Sequence, residues 1–197
     1  GGHTQIVEVK GTDDMTVIGT TIDDAAGEAF DKAAEMIGID YPGGPELDKI
    51  AEEGNPEKFS FAKPRIKDLD FSFSGLKTSI LYKIRDLSKQ DSDFAQKNKA
   101  DLCASIRKSI VDILIEKLLK ASKDKGIKTL AIAGGVSANR ELRRRLRMLE
   151  KEGYEVYIPK FEYCTDNAAM VAIAGKFAFE RGEFAAQNVS ADPRLKW

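Results

Sequence analysis

Carboxylates, paired glycines and a run of arginines are the groups in this chain with chemistry to offer. Thr129 to Leu146 reads TLAIAGGVSANRELRRRL: an apolar run of strand length (Leu130, Ile132, Ala133) ends at Gly134-Gly135, and a helical pattern follows from Ser137. Glycines let backbone approach a ligand closely, and a helix start offers free N–H groups at a positive dipole end, so such a turn is a ready anion site. It is equally a turn with glycines for steric reasons alone, and no Gly-Lys-Ser/Thr follows to make a Walker loop. Asp31 sits mid-helix, one turn beyond Gly27, where a carboxylate can accept hydrogen bonds from ribose hydroxyls. Its neighbours Asp23, Asp24 and Glu28 read as caps and dipole partners of that helix. Tyr41-Pro42-Gly43-Gly44-Pro45 excludes regular structure and is either a connector or a stiff loop whose bare backbone suits a planar base or sugar. Asp166, at the head of the last helix, is either an N-cap or a hard carboxylate ligand to a metal, aimed into the cleft of the glycine turn. Arg140, Arg143, Arg144, Arg145 and Arg147 crowd one helix, as a solvated face or as a contact for RNA phosphates. His3 is the single histidine, so the chain alone holds no multi-histidine site, and no H-E-x-x-H marks a zincin protease.

These groups need elements to hold them. Alternation over 4–9 and 15–21, with Gly11-Thr12-Asp13-Asp14 between, predicts an antiparallel hairpin. Residues 23–37 carry Ala26, Phe30, Ala33, Ala34 and Ile37 at helical spacing, and a short helix is expected over 46–53. Residues 59–70 read as irregular, 71–74 as a short strand, 74–87 as a helix and 95–122 as a long helix striped with Leu102, Ile106, Ile110, Ile113, Leu114 and Leu118. The chain then predicts strand 127–133, helix 137–152, strand 154–158 and helix 166–181, an order that calls for parallel pairing with right-handed crossovers.

Composition bounds the rest. The 197 residues are 42% hydrophobic, enough for a real core, and 32% charged with a net charge of −1, so any basic footprint must be local. Cys103 and Cys164 lie far apart and form no C-x-x-C, which predicts reduced thiols. No apolar run approaches membrane-spanning length, and no signal peptide is visible, so a soluble, intracellular chain is expected. The start at Gly1-Gly2-His3, on a turn and without methionine, reads as part of a longer polypeptide.

Together, six segments resemble one family, the universal tRNA threonylcarbamoyladenosine transferases, long misnamed glycoproteases. They are Gly1 to Gln5, Asp23 to Lys32, Tyr41 to Pro45, Phe71 to Thr78, Gly134 to Asn139 and Cys164 to Met170, in family order across almost the whole chain. The resemblance implies an α/β chain forming an actin-like/Hsp70-like ATPase (RNase H-like) lobe: a mixed sheet with helices on both faces and a helical insertion over about 60–125. It implies transfer of threonylcarbamoyl from its adenylate to N6 of the adenosine 3′ of the anticodon, in tRNAs reading codons that begin with A. Gly1 and Gly2 then belong to the phosphate-side turn, Asp31 contacts ribose, Gly44 lines the nucleoside pocket, Gly134, Gly135 and Asn139 meet the nucleotide, and Asp166 binds the metal. The cofactors implied are one divalent metal, iron or zinc, and an ATP/AMP-type nucleotide. The partners are tRNA, a paralogous inactive subunit and a small ATPase, with no membrane, in the cytoplasm. The family's H-x-x-x-H helix and the strand leading into Gly1 lie upstream, so the chain reads as a C-terminal lobe whose last helix, about 166–181, packs toward a missing N-terminal lobe. No side-chain nucleophile presents itself, which suits direct transfer. The alternative is a non-catalytic nucleotide- or partner-binding module of the same fold; a phosphotransferase of that superfold fits less well, because the likeness runs motif by motif.

Overall fold

A computed structural model describes residues 2–64 and 66–191. Strands β1 (Gln5–Val9) and β2 (Met15–Thr20) form the expected antiparallel hairpin, with a bulge between Ile6 and Val7. Helix α1 (Ala26–Met36) buries Ala26, Ala29, Phe30, Ala33 and Ala34, the face its helical spacing foretold. Helices α2 (Gly43–Ile50), α3 (Ser74–Ser88), α4 (Phe94–Lys97) and α5 (Lys99–Lys125) follow, and Gly126 ends α5 in the left-handed conformation at φ 68°. The remaining elements are β3 (Thr129–Ala131), α6 (Arg140–Leu149), β4 (Glu155–Tyr157) and α7 (Ala168–Glu180). Strands β3 and β4 pair in parallel around α6, Leu130 opposite Val156, as the β-α-β order requires.

One core joins these parts. Leu102, Ile106 and Ile110 of α5 lie fully buried beside Leu76 and Ile80 of α3, Ala34 of α1, Leu47 of α2 and Leu146 of α6. A core this dense fixes the helices against one another, and through them the side chains they carry to the surface.

Several expectations need correction. The single mixed sheet is not formed among the described residues: the strands make two separate two-stranded ribbons, β1-β2 and β3-β4. Each ribbon has edges without a strand partner among the described residues. The segment 71–74 is only one parallel bridge, Phe71 to Thr21, because Ser74 already opens α3. Residues 43–45 are not a loop. Pro42 is the cap residue of α2 and Pro45 lies in its first turn, where a missing N–H breaks no hydrogen bond. A Cβ on Gly43 would stand 2.4 Å from the Ala34 Cβ, so the glycine there lets α2 close onto α1.

Nor do Asp23 and Asp24 cap α1. Ala25 is its cap residue, and the Thr4 hydroxyl accepts the Ala26 N–H at 2.8 Å. Asp23 reaches across to the head of α3, accepting from the Ser72 hydroxyl, the Phe73 N–H and both groups of Ser74. Asp24 instead pairs with Lys32 at 2.8 Å.

Candidate functional site

Three distant segments meet in one cleft of about 920 Å3, lined by Gly2, Gly27, Asp31, Lys32, Tyr41-Pro42 and Thr165 among others. Gly2 comes from the lead into the hairpin, Asp31 from α1, and Thr165 from the loop that enters α7. Two of the expected site positions, Gly2 and Asp31, therefore line the same cleft, and Asp166 follows Thr165 directly. Gly1 lies outside the described residues.

Asp31 also explains α2. Its Oδ1 accepts the Gly44 N–H at 2.8 Å, supplying the cap that Pro42 lacks at the head of that helix. Its second oxygen takes no partner among the described residues, leaving an acceptor at the cleft wall. Gly44 is thus joined to Asp31 rather than presented as an isolated backbone patch.

Asn139 is buried, and both ends of its amide are engaged. Its Oδ1 accepts the Leu142 N–H at 3.0 Å, capping α6, and its Nδ2 donates to Asp48 Oδ1 at 2.9 Å. Asp48, which no sequence motif marks, ties the two halves of the fold. It is 6% exposed and also accepts from Arg107 Nη1 at 3.0 Å and from the Arg140 backbone at 3.2 Å. Arg107 in turn donates to the Ala51 carbonyl and pairs with Glu52. A buried carboxylate is tolerable only when so surrounded by donors. No sequence signal distinguished Asp48 from other acids of an amphipathic helix; only the packing of α2 between α5 and the turn before α6 singles it out.

The glycine turn behaves as foreseen in its backbone and less so in its position. Gly134 adopts φ 81° and ψ 174°, a conformation open to glycine alone, and a short 3-10 turn (Gly135–Ala138) precedes α6. The expected helix 137–152 is divided accordingly, since Asn139 breaks it as a cap and a second 3-10 turn (Glu150–Glu152) ends it. Gly134 and Gly135 are exposed, with open space where each Cβ would stand, and they are not part of the cleft lining. Within the turn the Ser137 hydroxyl is buried and has no hydrogen-bond partner among the described residues.

Asp166 is exposed, and the cap of α7 is its neighbour Asn167, whose Oδ1 accepts the Met170 N–H at 3.1 Å. The cap expected of Asp166 thus belongs to Asn167, and the Asp166 carboxylate has no partner among the described residues. Among the described residues no cluster of three or more His, Cys, Asp or Glu side chains stands ready for a metal. A lone hard carboxylate next to a cleft residue fits one ligand of a set completed from outside these residues. The thiols are both buried and free, and burial pushes that of Cys103 up to about 11, so it is inert as a nucleophile.

The arginine helix is divided in its work. Leu142, Leu146 and Leu149 are buried as expected, but so is Arg143, which donates to the Ser137 and Pro159 carbonyls and lies 4.2 Å from the centre of the Phe161 ring. Arg145 pairs with Asp112. The remaining cations face a separate groove.

A mixed α/β unit with a cleft along one face of α1, carrying a carboxylate on its wall, is the class these observations define. The same fold occurs in full-length HypF, solved in a phosphate- and nucleotide-bound form, with a TM-score of 0.60 at 20% identity over 82% of this chain and 26% of that one. HypF of T. kodakarensis gives 0.54 at 14% identity over 87% of this chain and 21% of that one. Sequence narrows the class to one family. The chain belongs to the tRNA N6-adenosine threonylcarbamoyltransferases, whose family profile matches residues 1–173. The enzyme of that name from Porphyromonas gingivalis is 56% identical over 93% of this chain and 54% of its own length. That from Riemerella anatipestifer is 53% identical over all of this chain and 58% of its own. The chain thus spans little more than half the length of these curated relatives.

Proposed function

We propose that this chain forms the nucleotide-holding part of a transferase that moves threonylcarbamoyl from threonylcarbamoyl-AMP to N6 of the adenosine 3′ of the anticodon in tRNAs reading codons that begin with A. The observation that carries this reading is the convergence of Gly2, Asp31 and Thr165 on one cleft in a chain of this family. In an actin-like arrangement the adenylate lies along that cleft, with its ribose hydroxyls on the free oxygen of Asp31. By the family likeness, backbone N–H groups at Gly1-Gly2 meet phosphate oxygens, and Gly134-Gly135, which lie outside the lining of the cleft, meet the nucleotide only where it extends beyond that lining. By the same likeness Gly44 bounds the nucleoside and Asn139 contacts the nucleotide, a contact for which its amide must give up its bond to Asp48 or to the Leu142 N–H.

The reaction asks little covalent work of the protein. The N6 amine attacks the carbamoyl carbon, the bond from that carbon to the phosphate oxygen breaks, AMP leaves with the electron pair, and N6 loses a proton. Positioning and charge stabilisation supply the rate. Asp166 serves as one ligand of a divalent metal, iron or zinc, completed by residues outside this chain. When bound, such a metal supplies Lewis acidity toward the carbamoyl carbonyl. The remaining proposals follow the family. The enzyme acts in the cytoplasm with a paralogous inactive subunit and a small ATPase, and the apolar helix α7 packs against the part of the longer relatives that this chain does not match.

Replacing Asp166 with Ala in the full-length enzyme is expected to abolish formation of the modified adenosine while AMP binding, measured by titration calorimetry, persists. Wild-type turnover in that variant removes the metal role. Loss of AMP binding in the wild-type protein removes the nucleotide reading altogether.

A further inference from the structure

Beside α6 lies a second, shallower groove of about 420 Å3, lined by Arg140, Arg143, Arg144, Arg147, Lys151 and Phe161, with Met148 among them. No acidic side chain among the described residues lines it. The cations differ in what holds them. Arg140 is drawn to Asp48 and Arg144 to Glu141, whereas Arg147 and Lys151, both exposed, enter no ion pair among the described residues. Arg143 is buried and fully employed, so it is no ligand itself; its guanidinium lies over one face of Phe161, 4.2 Å from the ring centre. Phe161 is nevertheless 63% exposed, so the ring face turned away from Arg143 is open to a planar partner.

An aromatic plate held from behind and flanked by cations without ion pairs among the described residues favours one occupant. Cations take phosphates, and a ring with one free face takes an unstacked base. We infer that this groove binds single-stranded RNA backbone, with Arg147 and Lys151 on successive phosphates and a base stacked on the free face of Phe161. The inference rests on the tRNA-modifying reading above and adds to it a docking surface separate from the adenylate cleft, since the two linings share no residue. An acidic protein segment would also be drawn to the cations, but it makes no use of an exposed ring preset by Arg143.

The test uses the full-length protein and an unmodified transcript of a tRNA that reads codons beginning with A. The Arg147→Glu/Lys151→Glu pair is expected to raise the Kd for the transcript about tenfold or more at moderate salt, and to flatten the slope of log Kd against log salt by about two, one for each lost phosphate contact. Phe161→Ala is expected to weaken binding several-fold with the salt slope unchanged, because stacking releases no counterions. Both variants keep the wild-type melting curve by circular dichroism and the wild-type affinity for AMP. An unchanged Kd and slope in the charge-reversed protein overturns the inference, as does competition by polyglutamate as effective as that by tRNA. The two readings fail separately. A wild-type protein that binds the transcript in this charge-dependent way yet forms no modified adenosine when threonylcarbamoyl-AMP and both partner subunits are supplied overturns the transferase. One that modifies tRNA, with the variants at an unchanged KM for tRNA, overturns the groove.

Discussion

Asp31 carries two duties on one carboxylate, and they can be separated by substitution. Its Oδ1 caps α2 through the Gly44 N–H, while its other oxygen stands at the cleft without a partner among the described residues. Asp31→Asn keeps an oxygen for Gly44 and loses the charge; Asp31→Ala loses both. The alanine variant is expected to lose about 1 kcal/mol of stability in urea denaturation, the usual worth of a helix cap, and the asparagine variant much less. Both are expected to bind AMP several-fold more weakly by calorimetry. Full affinity in the asparagine variant would mean that the carboxylate is a cap and nothing more. Asp31 was recognisable in the sequence because a mid-helix acid after Gly27 has no capping duty of its own there. Its partner in the structure was not, since Gly44 is thirteen residues away along the chain and on another helix. Asp48 was hidden for the same reason: its donors Arg107 and Asn139 come from sequence separations of 59 and 91.

At the scale of elements, the helical spacings of α1 and α5 and the order of the β3-α6-β4 unit were legible because burial of one face writes them into the order of residues. The starts of helices were less so, because a cap can be lent by a distant segment. Asp23 illustrates this. It reads as the head of α1 but staples the end of the hairpin to the head of α3. Burial pushes its carboxyl up, yet the Ser72 hydroxyl, the Phe73 N–H and the two groups of Ser74 together outweigh that and hold it below the usual carboxylate range. A group whose folded pKa is depressed stabilises the fold above its unfolded value, near 4, and ceases to do so as pH falls through the lower folded value. Asp23→Asn is therefore expected to be less stable than wild type by about 1 kcal/mol near neutrality. The gap should close as pH drops below about 4. Urea titrations across that range check it; a gap independent of pH would show that the charge is irrelevant to the staple.

At the scale of the whole molecule, α7 stands apart. Its sequence, AAMVAIAGKFAFE, is strongly apolar, yet none of its residues is buried, and Val171 and Phe179 are each 68% exposed. Among the described residues it is tied down chiefly at its end, where Arg181 reaches the Thr12 hydroxyl at 3.3 Å. Contiguous apolar surface of this kind marks an interface. In hydrogen-exchange mass spectrometry, the α7 amides of this chain alone are expected to exchange far faster than those of the buried α5, and to become protected in the full-length protein. Fast exchange in both would leave α7 without the partner proposed for it. No helix among the described residues is long and apolar enough to cross a membrane.

By itself the amino-acid order determined the family, the hairpin, the helix faces, the parallel pair and the glycine turn at Gly134, since each depends on neighbours within a few residues or on motifs that survive as short strings. Only the tertiary structure decided that 43–45 is helical, that the strands form two ribbons, that Asn167 rather than Asp166 caps α7, and that Asp48 and Arg143 are buried and bonded. Those outcomes depend on which donor meets which acceptor across the core, and a hydrogen bond between residues fifty or ninety apart leaves no periodic trace in the chain.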